Sequence, residues 1–98
     1  MNDQVKARAA VLKHLREQHR ESVARTQAWL REQMRIQQQI RQAIREQPRT
    51  VPEVARAIGL AGHEVLWHIT ALRKYGEVVE TGMRGAYYLY QTTKEAAS

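Results

Sequence analysis

Apolar positions in the first half of the chain recur at helical spacing, in two stripes of different width. Val5, Ala9, Leu12, Leu15 and Val23 follow one another at threes and fours, with a longer step across His19. Leu30, Met34, Ile36, Ile40, Ala43 and Ile44 form a broader stripe, as for a helix that packs on a globular core. Strong helix formers dominate, and no proline or glycine occurs before Pro48. Asn2 and Asp3 supply an N-cap and an acid at the positive end of the helix dipole. A continuous helix from Asp3 to Gln47 would be about 65 Å long at ~1.5 Å per residue. That exceeds what a small domain covers, so part of it is expected to project. The sevenfold series from Leu12 runs through His19, Thr26, Gln33 and Ile40, which is too polar for a long coiled coil. A kink around His19–Ser22 is open, although nothing there demands one.

After Pro48 the pattern changes. Thr50, with Glu53 three residues on, has the form of a capping box, and Pro52 is tolerated in a first turn whose amides lack intrahelical acceptors. A helix is predicted over 51–58, with Val54, Ala55 and Ile58 inward and Gly59 as a left-handed C-cap. Ala61 and Gly62 make the turn into a helix over 63–75, where Val65, Ile69 and Leu72 form the core stripe. Residues 77–80 read as a strand, 81–85 as a turn with two glycines, and 86–90 as the returning strand. The predicted class is mainly α with a small β-hairpin, α+β. An N-terminal helical arm spans 1–33, a compact domain 34–90 with its first helix over 34–47, and a flexible tail 91–98.

Charge divides the chain the same way. The 98 residues carry a formal net charge of +6. Residues 1–48 hold ten Lys or Arg against five acids, whereas residues 49–98 hold six against five. A basic balance favours nucleic acid or acidic surfaces as partners, but here the excess lies on the arm. The absence of cysteine removes disulfides, thiolate metal sites and cysteine catalysis. One aspartate, Asp3, and two serines, Ser22 and Ser98, leave no foothold for nucleophilic chemistry, so neither an enzyme nor a cofactor is expected. No apolar run approaches the ~18–20 residues of a membrane span, and the N-terminus lacks a signal-peptide core. A cytoplasmic protein with no membrane partner is expected.

The segment Val65-Leu-Trp-His-Ile-Thr-Ala-Leu-Arg-Lys-Tyr-Gly76, followed by Val78-Val79 and Gly85-Ala-Tyr-Tyr-Leu89, resembles the winged helix-turn-helix of ArsR- and MarR-type transcriptional regulators. The likeness covers residues 50–90, and 77–90 would be the wing hairpin. It implies a DNA-binding transcriptional regulator acting as a homodimer on a pseudo-palindromic site of double-stranded DNA. In that scheme His63, Leu66, Trp67, His68 and Thr70 face the major groove, Arg73 and Lys74 approach phosphates, and Arg84 reaches the backbone or minor groove from the wing. Two features depart from the family. The cysteine metal sensor is absent, and Leu66 and Trp67 stand where polar base readers are usual.

Base edges are read by Arg, Asn, Gln and similar donors, and the outer face of this helix offers none before Arg73. An exposed Leu–Trp pair has the composition of a protein-binding hot spot. The alternative function is therefore a protein-interaction module in a larger complex, docking through Leu66 and Trp67. A third outcome is that Trp67 folds back over the wing or the arm. His63 and His68, five apart on a helix, do not share a metal readily, and no metal site is expected. On the arm, Val5, Leu12, Leu15, Val23 and Leu30 need a partner, and dimerisation through them is the reading preferred over a solvated helix or a basic arm on nucleic acid.

Overall fold

The computed structural model describes residues 2–97. The order of elements is α1 (Asn2–Arg45), α2 (Val51–Ile58), α3 (Gly62–Lys74), β1 (Val78–Arg84), β2 (Tyr87–Thr92) and α4 (Thr93–Ala96). The protein is mainly helical, with one two-stranded antiparallel hairpin after the three longer helices. Its chain divides into two compact units, Met1–Met34 and Arg35–Ser98.

In the first unit α1 is helical without interruption and passes His19–Ser22 unbroken. Thr26 donates its hydroxyl to the Ser22 carbonyl at 2.9 Å, a bond the helix accommodates without ending. The helix ends at Arg45, two residues before the expected Gln47, and residues 46–47 bend toward Pro48. Proline disfavours helical geometry in the residue before it, which accounts for the early stop.

The core of the second unit is built from Ile36, Ile40 and Ile44 of α1, Val54 and Ala55 of α2, Val65, Ile69 and Leu72 of α3, and Val78 and Tyr90 of the hairpin. The broad stripe read from the sequence is thereby trimmed: Leu30 and Met34 are exposed and only its later residues pack. The reason is angular. At 3.6 residues per turn, Ile36, Ile40 and Ile44 point to one side and Leu30 and Met34 to another, roughly 90° away.

The capping box forms as read. Thr50 has extended backbone geometry, its hydroxyl accepts from the Glu53 amide at 3.4 Å, and the Glu53 carboxylate accepts from the Thr50 amide at 3.2 Å. Gly59 closes α2 in the left-handed region, φ 74°, with its N–H on the Ala55 carbonyl. A short turn then leads into α3, whose buried side carries Val65, His68, Ile69 and Leu72.

The hairpin is longer than the sequence suggested. Residues 81–84 belong to β1, and the tight connection is Gly85–Ala86, with Gly85 at φ 62°. A register shift between Glu80 and Gly82 absorbs one residue, so the glycine read as part of a turn sits in the strand beside a bulge. Arg49 adds a short third edge: its N–H and carbonyl exchange bonds with Tyr90 at 3.0 and 2.9 Å.

Residues 91–96 of the expected tail carry regular structure. Gln91 and Thr92 complete β2, and Thr93–Ala96 form α4. Thr92 is buried, Thr93 donates its hydroxyl to the Gly76 carbonyl at 2.6 Å, and Gln91 donates to the Arg45 carbonyl at 3.2 Å. Small polar residues suggest disorder by composition, yet Gln91 and Thr93 find backbone partners and the Thr92 hydroxyl donates to the Glu95 carboxylate.

Candidate functional site

The second unit turns one side of α3 outward. Val65, Ile69 and Leu72 fix the helix on the core, so the residues between them are left at the surface. His63, Leu66, Trp67, Thr70, Arg73 and Lys74 are all exposed. Leu66 keeps 46% and Trp67 59% of their surface, so the tryptophan does not fold back to be covered. Thr70 spends its hydroxyl proton on the Leu66 carbonyl at 2.8 Å, inside its own helix.

His68, expected among the groove-facing residues, is instead 3% exposed and lies on the buried side of α3. Three residues after Val65, it falls on the core stripe. Its Nδ1 sits 3.4 Å from Nε2 of Gln37 on α1, and the Trp67 ring meets it edge-on at 4.9 Å between centroids. With the imidazole proton on Nε2, Nδ1 accepts from the Gln37 amide. Burial holds the His68 pKa below its ordinary value, and the nearby Glu64 carboxylate opposes that shift in part.

Two of the three cations assigned to phosphates are engaged within the fold. Arg73 pairs with Glu80 of β1 at 2.9 Å, and Arg84 at the end of β1 pairs with Glu53 at 2.6 Å. Both pairs are partly exposed, so each adds little to stability and is open to exchange. Lys74 is exposed and makes no ion pair among the described residues.

Beside Leu66 lies a shallow apolar groove of about 210 Å³, lined by Val51, Leu66, Ala86, Tyr87, Tyr88 and Tyr90. Tyr87, Tyr88 and Met83 are exposed along the hairpin. Sequence reasoning missed the groove. Its signal in the sequence is the pair Tyr87–Tyr88 within the returning strand expected over 86–90. The Arg73–Glu80 and Arg84–Glu53 pairs join residues far apart in sequence and left no local signal.

In the first unit Val5, Leu12, Leu15, Val23 and Leu30 are all exposed, as a helix without a partner leaves them. Among the described residues no three metal-ligating side chains cluster, and no helix is long and apolar enough to cross a membrane. No protein-family model matches the chain, and no curated protein matches it at a significant level.

Proposed function

We propose that residues 50–90 act as a winged helix-turn-helix that binds double-stranded DNA in transcriptional regulation. In this reading α3 enters the major groove, and the hairpin β1–β2 is the wing. The observation that carries the reading is the division of α3, with one side fixed on the core and the other open from His63 to Lys74. The Arg49–Tyr90 bridge, which ties the hairpin to the strand stub before α2, supports the winged arrangement. Lys74 supplies a phosphate contact directly, and Arg73 and Arg84 join it by trading carboxylates for phosphates. Base discrimination rests on His63 and Thr70, with Leu66 and Trp67 against thymine methyl groups.

Binding to mixed duplex DNA across a salt series tests the proposal. Affinity should fall steeply with salt, and Lys74→Ala should weaken binding and flatten the slope by roughly one counterion. No salt-sensitive binding even at low ionic strength would end the DNA reading.

A second reading has a specific observation behind it. Leu66, Tyr87 and Tyr88 are exposed around an apolar groove, and Trp67 is exposed next to Leu66 on α3, the composition of a protein-docking hot spot. If Trp67→Ala leaves duplex affinity intact but abolishes binding of a protein partner, this reading displaces the first.

A further inference from the structure

Because α1 is one unbroken helix, its side chains divide into sectors around a common axis. At 3.6 residues per turn, Val5, Leu12, Leu15, Val23, Leu30 and Met34 fall within roughly 100° of one another. All six are exposed. The four acids of the helix, Asp3, Glu17, Glu21 and Glu32, cluster within roughly 60° on the opposite side. Arg8, Arg16 and His19 lie inside the apolar sector, and Lys13, Arg20 and Arg31 run along one border of it. The apolar seam thus carries cations and no carboxylate.

That pattern discriminates among occupants. A second copy brings no acid to the seam. Paired antiparallel, the basic border meets its own copy; paired parallel and in register, Arg8 faces Arg8 and Arg16 faces Arg16. The dimer expected from the apolar positions alone is therefore opposed by the charges among them. A helix with an apolar stripe and acidic flanks meets both requirements at once.

We propose that this face of α1 is a docking surface for an acidic amphipathic helix of another protein. The apolar stripe of that helix covers Leu12, Leu15, Val23 and Leu30, and its carboxylates pair with Arg8 and Arg16. This goes beyond the role proposed for residues 50–90 and does not depend on it.

The test uses the full chain and two designed helical peptides with the same leucine stripe, one flanked by glutamate and one by lysine. The glutamate peptide should bind and the lysine peptide should not. Raising ionic strength from roughly 0.01 to 0.1 M, which shortens the screening length from ~30 to ~10 Å, should weaken binding about tenfold. The double variant Arg8→Glu, Arg16→Glu should reverse the preference, an outcome that a loss of folding does not produce. Equal binding of both peptides, or of neither, overturns the proposal. So does sedimentation of the free chain as a dimer that Leu15→Asp dissociates, which would make a second copy the occupant. Binding of anionic vesicles or duplex DNA that the double variant loses, without any peptide preference, also overturns it.

Discussion

The guanidinium of Arg84, at the end of β1, holds the first turn of α2: its Nη1 lies 2.7 and 2.6 Å from the two carboxylate oxygens of Glu53. The same carboxylate accepts from the Thr50 hydroxyl at 2.8 Å and the Thr50 amide at 3.2 Å. One acid therefore serves a helix cap and a contact across 31 positions of sequence. The Thr50 bonds, and then Arg84, hold the Glu53 pKa below its ordinary value.

The two links through Glu53 should separate by magnitude. Thr50→Ala removes a cap and should cost about 1 kcal/mol. Arg84→Ala removes an exposed ion pair and should cost less, in the range of ~0–1 kcal/mol. Urea unfolding midpoints of the two variants give the order. The reverse order would mean that the hairpin contact, and not the cap, secures this end of the unit. Because the Glu53 pKa is depressed on folding, its contribution is present above the ordinary carboxylate range and is lost as pH falls below it.

Trp29 and Trp67 are both exposed, so the fluorescence of the native protein should resemble that of indole in water and be quenched readily by iodide. Unfolding should shift the emission little. Trp67→Ala removes a half-exposed ring and its edge contact with His68 and should cost about 1 kcal/mol. Ile69→Ala, two residues on and fully buried, should cost ~2–5 kcal/mol. A blue-shifted emission that disappears in Trp67→Ala would mean that Trp67 is covered in solution.

His68 makes stability depend on pH in a stated direction. Its pKa is lowered on folding, chiefly by burial, so the unfolded chain binds the proton more tightly. Stability from the neutral ring is present in full above the unfolded value of about 6.5, and is lost as pH falls toward the folded pKa. Protonation also removes the lone pair that accepts from Gln37. Thermal unfolding between mildly alkaline and mildly acidic pH should show this decline, and His68→Leu should reduce it. A variant with an unchanged slope would assign the pH dependence elsewhere.

Truncation after Tyr90 should destabilise the second unit, although the removed residues are small and polar. It deletes the pairing of Thr92 with Val78 and the bonds from Gln91 to Arg45, Thr93 to Gly76 and the Thr93 amide to Glu77. At ~0.5–1.5 kcal/mol for each lost hydrogen bond, these four links total roughly 2–6 kcal/mol. Thr92 also donates to Glu95, and that bond lowers the Glu95 pKa, so the segment is tied to itself as well. Chemical denaturation of the truncated chain checks this, and an unchanged midpoint would make the tail dispensable.

The sequence by itself determined the local order of this protein. The Thr50–Glu53 box, the glycine after Ile58 and the spacing of Val65, Ile69 and Leu72 are short-range relations, each decided by backbone geometry within a turn or two, and all appear in the structure. It also determined the sectors of α1, since a helix has only one period. The tertiary structure decided whatever depends on distant neighbours. It set Gln37 against the His68 ring, left Leu66 and Trp67 open, tied Arg73 and Arg84 to carboxylates of other elements, and drew the polar tail into β2 and α4. The physical reason is one of range. Propensity and capping act through neighbouring residues, whereas burial and pairing depend on which surfaces the completed fold brings together, and no local pattern encodes that.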